Sequence, residues 1–109
     1  MENIKQLYLI GMMGSGKSST GKALSSSLGW EFIDIDSEIS NTHNLSINEL
    51  FSIGEQHFRE LEYAELKKHI SKENVVVAVG GGAVTFEDSF NLLGSKCCIY
   101  LKTSKNIIL

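Results

Sequence analysis

The feature that most constrains this chain is a glycine-rich stretch near its N-terminus. Residues 11–18 match the phosphate-binding loop pattern G-x-x-x-x-G-K-[ST] at every specified position. A short apolar run ending at Ile10 precedes the loop and predicts a buried strand, while residues 20–28 predict a helix. Because the motif requires a strand before it and a helix after it, the sequence predicts an α/β protein with a nucleotide site.

The residue types of this loop suit a triphosphate. Glycines let successive backbone N–H groups approach a phosphate closely, and the N-terminus of the following helix also favours an anion. We expect Lys17 to act in catalysis by contacting the β- and γ-phosphates, and the Ser18 hydroxyl to bind Mg²⁺. The predicted contacts to ATP or GTP are Gly14, Ser15, Gly16, Lys17, Ser18 and Ser19. The alternative, a glycine-rich turn beside a surface lysine, is disfavoured by a full match in this context.

Size and charge narrow the classes of protein further. A chain of 109 residues is long enough for one domain and too short for two. Its formal net charge of -3 argues against general nucleic-acid binding, which favours a basic face. No apolar run approaches the roughly 18 residues that a membrane span needs, and the N-terminal residues lack the features of a signal peptide. We therefore expect a cytoplasmic protein with no nucleic-acid or membrane partner.

The rest of the chain alternates between predicted helices and strands. Residues 75–79 are apolar at every position, as in a central parallel strand covered on both faces, and glycines follow at 80–82. Ser46 and Glu49 form a capping box. The further predicted strands are residues 30–33 and 97–101, and the further predicted helices are residues 37–44, 46–51, 55–70, 87–93 and one beginning at 105. Since that last helix has only begun, we expect the chain to stop inside an element.

Several polar residues outside the loop have both a functional and a structural interpretation. Asp34 and Asp36 follow the second strand, where open α/β sheets form their ligand crevice, but acids at such junctions also cap helices. Arg59, the only arginine, could pair on a helix surface with Glu55 or Glu62. The glycine triplet could be a flexible turn. These alternatives stay open on local pattern alone.

Taken together in sequence order, these features resemble shikimate kinase. The resemblance covers the loop at 11–18, Asp34-Ile35-Asp36, the segment from Phe51 through Gly54 to Phe58-Arg59, and Gly80-Gly81-Gly82. It implies a three-layer α/β/α P-loop kinase fold with a central parallel sheet. It also implies that residues 1–109 form a single kinase domain that is truncated at its C-terminus.

The family resemblance implies an activity and roles for individual residues. Such a kinase transfers the γ-phosphoryl group of ATP to the 3-hydroxyl of shikimate, in the pathway to chorismate and the aromatic amino acids. The residue matching Asp36 binds hydroxyls and is the candidate base, and the one matching Arg59 pairs with the substrate carboxylate, held by an acid at the Glu62 position. The implied substrate contacts are Asp36, Arg59, Gly81 and Gly82, and the implied metal ligands are Ser18 and Asp34.

The sequence departs from the family pattern towards its end. The lid with its arginine, a second substrate-binding arginine and the adenine-contacting segment cannot be assigned, so we expect little turnover from these 109 residues alone and a monomer when complete. Two other functions stay open. One is another P-loop kinase of gluconate or nucleoside monophosphate type, which would not call for Asp36, Arg59 and Gly81 together. The other is a non-catalytic binding module that keeps the first half of the family pattern.

Overall fold

The computed structural model describes residues 5–11, 17–94, 96 and 98–101, with backbone alone at 17–18 and 98–101. Within these residues the strands form one sheet in the order β2-β3-β1-β4, and each neighbouring pair is parallel. The strands are β1 (Gln6–Gly11), β2 (Glu31–Asp34), β3 (Val75–Gly80) and β4 (Cys98–Leu101). The predicted parallel sheet with flanking helices is therefore confirmed.

The centre of the sheet is the pairing of β1 with β3. Their register runs from Gln6 opposite Val75 to Gly11 opposite Gly80. All five residues from Val75 to Val79 are buried, with exposures of 1% or less. Since a strand buried at every position has both faces covered, helices must lie on both sides of the sheet.

The helices of the described residues follow the predicted order with small changes at their ends. They are α1 (Lys17–Leu28), α2 (Ile35–His43), α3 (Ile47–Ile53), α4 (Glu55–His69) and α5 (Glu87–Leu93), with a short 3₁₀ helix at Gly81–Thr85. Helix α1 begins three residues before the predicted position 20. The prediction missed these residues because the first turn is polar and carries no apolar periodicity. Cys97 and the helix predicted from 105 lie outside the described residues.

The start of α2 differs from the prediction because of its capping residue. The Oδ1 atom of Asp34 accepts a hydrogen bond from the backbone N–H of Ser37 at 3.3 Å, so Asp34 is the N-cap and the helix begins at Ile35. This places Asp36 in the first turn of α2 instead of at the strand end. Asn44, in the left-handed conformation with φ of 55°, ends the helix.

The predicted capping box at the start of α3 is confirmed. The Ser46 hydroxyl accepts a hydrogen bond from Glu49 N at 3.1 Å, and the Glu49 carboxylate accepts one from Ser46 N at 2.8 Å. Both contacts satisfy backbone donors that a helix start leaves unpaired. The box therefore fixes where α3 begins.

The core lies between the sheet and helices α2 to α5. Its largest members come from the strands and from one face of each helix: Tyr8, Ile10, Ile33, Ile35, Ile39, Leu50, Phe58, Leu66, Val75, Val77, Val79 and Leu93. Phe58 and Leu66 of α4 are buried as predicted, with exposures of 1% and 0%. None of the helices in the described part of the chain is both long enough and apolar enough to cross a membrane.

Candidate active site

The sheet brings the separate sequence motifs to one edge. Gly11, where β1 runs into the predicted phosphate loop, is the parallel partner of Gly80, the last residue of β3. Asp34, at the end of β2, is opposite Ala78 of β3. The carboxyl ends of β1, β2 and β3 therefore share the edge at which open α/β sheets bind ligands.

Two carboxylates from different helices meet at Gly80. A β-carbon built on Gly80 would lie 3.3 Å from Asp36 Oδ2 and 3.3 Å from Glu62 Oε2. Asp36 comes from the first turn of α2, and Glu62 comes from the middle of α4. The end of β3 is therefore flanked by two acids that are 26 residues apart in the sequence.

Arg59 is anchored by one of these acids. Its Nη1 atom donates to Glu62 Oε1 at 2.8 Å, with side-chain exposures of 12% for Arg59 and 0% for Glu62. Its Nε atom lies 3.8 Å from Glu55 Oε2, and the Glu55 side chain is 68% exposed. Both predicted pairings form, but the Glu62 pair is buried, so a surface ion pair is the wrong description of it.

Two aromatic rings also hold the guanidinium of Arg59. Phe51 of α3 and Phe58 of α4 are stacked, with centroids 4.4 Å apart and planes 27° apart. The Arg59 Cζ atom is 5.2 Å from the Phe51 centroid and 5.4 Å from the Phe58 centroid, within the range of cation–π attraction. Phe51 belongs to the segment that resembles the family, but no contact between Phe51 and Arg59 was predicted. An aromatic residue eight positions before the only arginine was the available signal.

The guanidinium lies directly against the glycine-rich turn. A β-carbon on Gly82 would collide with Arg59 Nη2 and would lie 2.7 Å from Cζ. No side chain larger than hydrogen fits there without moving the arginine. The structure thus brings Asp36, Arg59, Glu62, Gly80 and Gly82 together, with Gly81 between the two glycines as the first residue of the 3₁₀ helix.

This arrangement leaves Arg59 able to bind an anion. Guanidinium has five N–H donors, and the hydrogen bond to Glu62 uses one of them at Nη1. A planar carboxylate is the ligand that best matches guanidinium, because its two oxygens can accept two parallel N–H hydrogen bonds. The site can therefore hold a carboxylate beside the Asp36 and Glu62 pair of acids.

The nucleotide half of the site is less fully described. Gly14, Ser15 and Gly16 lie outside the described residues, Lys17 and Ser18 are described as the backbone that begins α1, and Ser19 is exposed in its first turn. The predicted contacts of these residues stay predictions. Asp34 is the N-cap of α2, as the structural interpretation of this residue predicted. Its carboxylate is also a ligand type that Mg²⁺ accepts, so the predicted metal contact stays a prediction.

Comparisons with known proteins agree on one family. The family model described as "Shikimate kinase" matches residues 13–109. A shikimate kinase of Chlorobaculum tepidum is 44% identical over 110 residues, which cover 99% of this chain and 58% of that protein. The solved structure of shikimate kinase from Acinetobacter baumannii in complex with shikimate superimposes with a TM-score of 0.86 at 36% identity, covering 94% of this chain and 58% of that one.

Two further results limit what these similarities show about the function of the chain. The chain spans between 51% and 58% of the length of the first three curated relatives that it matches. A gluconokinase from Sinorhizobium meliloti has a TM-score of 0.57 at 22% identity, covering 88% of this chain and 55% of that one, which is similarity of fold alone.

Proposed function

Since the chain belongs to the shikimate kinase family, we propose that its protein transfers the γ-phosphoryl group of ATP to the 3-hydroxyl of shikimate. The observation that carries this proposal is the buried Arg59, held by Glu62 and two phenylalanine rings against Gly82 and close to the acids at Gly80. Shikimate carries one carboxylate and several hydroxyls. An arginine fork and nearby carboxylates supply the matching donors and acceptors.

The proposed binding mode assigns each half of shikimate to one part of the site. Arg59 receives the substrate carboxylate through N–H groups that Glu62 does not use, and the backbone of Gly81 and Gly82 lines the same pocket. Asp36 receives the hydroxyls. Because the glycine turn has no side chains, the substrate can approach the backbone closely.

In the proposed reaction the 3-hydroxyl oxygen forms a bond to the γ-phosphorus as the bond to the β-phosphate oxygen breaks. ADP leaves, and the hydroxyl proton passes to the Asp36 carboxylate. Lys17 stabilises the charge on the phosphates, and the backbone of residues 14–19 holds them. When bound, Mg²⁺ would neutralise phosphate charge, and Ser18 and Asp34 are the oxygen donors we assign to it.

The remaining properties of the protein are proposed on the same basis. Residues 1–109 belong to a single kinase domain, of which they are an incomplete part, and the complete protein acts as a cytoplasmic monomer with shikimate and ATP as its small-molecule partners. The chorismate and aromatic amino acid pathway is the proposed setting.

An acceptor comparison tests the proposal. Protein translated from the complete reading frame is assayed for ADP production with shikimate, gluconate and nucleoside monophosphates side by side. We expect ADP production with shikimate and not with the other acceptors. Arg59→Lys should lose most of this activity, because lysine keeps the positive charge but not the planar pair of N–H donors. Preferred phosphorylation of gluconate or a nucleotide would overturn the assignment, and binding of shikimate with no phosphoryl transfer would favour a binding module.

A further inference from the structure

Helix α1 and strand β2 are in direct contact at Gly21 and Phe32. A β-carbon built on Gly21 would collide with Cε1 of the Phe32 ring and would lie 2.9 Å from both Cδ1 and Cζ. Gly21 is buried, although Lys22 and Ala23 after it are exposed. Only a residue without a β-carbon therefore fits between this helix and the Phe32 ring, unless the helix or the ring moves.

The contact lies on the face of the sheet that carries Asp34. Side chains alternate between the two faces of a strand, so Phe32 and Asp34 lie on one face of β2 and Ile33 lies on the other. Ile33 belongs to the core beneath helices α2 to α5. Val76, the parallel partner of Phe32, is fully buried, as expected of a strand covered on both faces. Helix α1 therefore covers the face of Phe32 and Asp34.

The contact also lies at the same depth on both elements. Gly21 is four residues after Lys17, the first residue of α1, which is about 6 Å along the helix axis. Phe32 is two residues before Asp34, the last residue of β2, which is about 7 Å along the strand. Both distances lead to the edge of the sheet at which the predicted nucleotide site lies. The contact therefore fixes the spacing of α1 and β2 just below that site.

We propose that Gly21 and Phe32 are positioning residues of the nucleotide site, which set the distance between the phosphate-binding end of α1 and Asp34. The inference rests on the proposed function, in which Lys17 and Ser18 at the start of α1 bind the phosphates and Mg²⁺, and Asp34 is a metal ligand. Neither Gly21 nor Phe32 contacts the nucleotide in this proposal. They act through the spacing of the two elements that do.

A small change of this spacing is enough to affect metal binding. Carbon atoms in contact are normally at least about 3.5 Å apart, so a methyl group at Gly21 would require a displacement of at least about 0.6 Å from the ring atoms at 2.9 Å. Mg²⁺ demands oxygen ligands at about 2.0–2.1 Å in nearly ideal octahedral geometry. Ligands on α1 and β2 that move apart by this amount no longer fit one Mg²⁺ ion.

ATP binding in the absence of any acceptor tests this inference. The affinity of protein from the complete reading frame for ATP is measured by calorimetry, once in excess Mg²⁺ and once in EDTA. We expect Gly21→Ala to bind ATP at least about tenfold more weakly than the wild type in Mg²⁺, with a smaller loss in EDTA. Because no shikimate is present, the result does not depend on which acceptor the kinase uses.

Gly29→Ala is the control for a general loss of stability in α1. Gly29 follows the last residue of the helix with φ of 72°, and its β-carbon would meet no atom within 4 Å in the described part of the chain. Alanine there should lower the melting temperature through backbone strain and leave ATP affinity at the wild-type value. A similar loss of ATP affinity in Gly29→Ala and Gly21→Ala would overturn the proposal.

Shortening the Phe32 side chain provides a second, independent test. Phe32→Val removes the three ring atoms that an alanine at position 21 would meet, at a half-buried position. Alone it should weaken ATP binding in Mg²⁺ by at least about threefold, a result that stands even if Gly21→Ala does not fold. The double variant should bind ATP more tightly than Gly21→Ala. Unchanged affinity in either single variant, equal losses in Mg²⁺ and EDTA, or no recovery in the double variant would overturn the proposal.

Discussion

Arg59 and Glu62 form a buried ion pair, with Nη1 and Oε1 2.8 Å apart and no solvent exposure of the Glu62 side chain. The pair spans one turn of α4 and places the guanidinium between the Phe51 and Phe58 rings and the backbone of Gly82. Because a buried arginine needs a fixed counter-charge, Glu62 determines both where Arg59 points and how stable the site is.

Removing the charge of Glu62 should affect both stability and substrate binding. We expect Glu62→Gln to lower the free energy of unfolding by about 2 kcal/mol, measured by urea denaturation, and to weaken shikimate binding. Glu55→Gln is the control, since that partner of Arg59 is 68% exposed and contributes about 0.5 kcal/mol or less. Equal losses in the two variants would contradict the importance we give to burial.

Adding a side chain at Gly82 should displace Arg59. In Gly82→Ala the new methyl group would occupy the space of the guanidinium, so we expect the KM for shikimate to rise at least about tenfold with little change in the KM for ATP. Gly94→Ala, at the end of α5 with φ of -61°, is the control: its β-carbon would lie 3.3 Å from the Phe90 carbonyl oxygen and meet no atom of Arg59, so the KM for shikimate should stay at its wild-type value. An unchanged KM for shikimate in Gly82→Ala would refute this placement of Arg59.

The Phe51 ring should contribute to positioning Arg59. Cation–π attraction at a partly exposed site is worth about 0.5–1 kcal/mol, so Phe51→Leu should weaken shikimate binding by roughly two- to fivefold. Phe51 is 37% exposed, so we expect the variant to fold. Ile53→Ala changes a more exposed apolar residue of the same helix, at 60%, and a similar effect there would point to general loss of apolar surface.

Asp36→Asn separates proton transfer from positioning. If Asp36 accepts the hydroxyl proton, kcat should fall by about 10²-fold or more while shikimate affinity stays near normal. Steady-state kinetics and a binding titration on the same preparation measure the two effects. Lost affinity with unchanged kcat would show that Asp36 only orients the hydroxyl.

Asp34 can be tested separately as a helix cap and as a metal ligand. Asparagine is an equally good N-cap, so Asp34→Asn should keep the stability of α2 but require more Mg²⁺ for half-maximal activity. Asp34→Ala should in addition lose about 1 kcal/mol of stability. If Asp34→Asn needs the same Mg²⁺ concentration as the wild type for half-maximal activity, Asp34 is not a ligand of the proposed metal site.

Much of the fold was predictable because its signals are local. The run of apolar residues from Val75 to Val79 predicted a strand covered on both faces, and Ser46 with Glu49 predicted the start of α3. The start of α2 was misplaced by two residues because Asp34, Asp36 and Ser37 are all acceptable caps. Which of them caps the helix depends on where β2 ends, and β2 ends where its pairing with β3 ends.

The sequence by itself determined the predicted phosphate-binding loop, the order of strands and helices, and the candidate residues Asp36 and Arg59. Only the tertiary structure decided that the Arg59–Glu62 pair is buried, that Phe51 lies over the Arg59 guanidinium, and that Glu38 of α2 lies near Glu65 and His69 of α4. Local spacing encodes contacts within one turn of helix or one strand. Contacts between α2, α3, α4 and the end of β3 arise from packing those elements on a shared core, and a local pattern does not specify them.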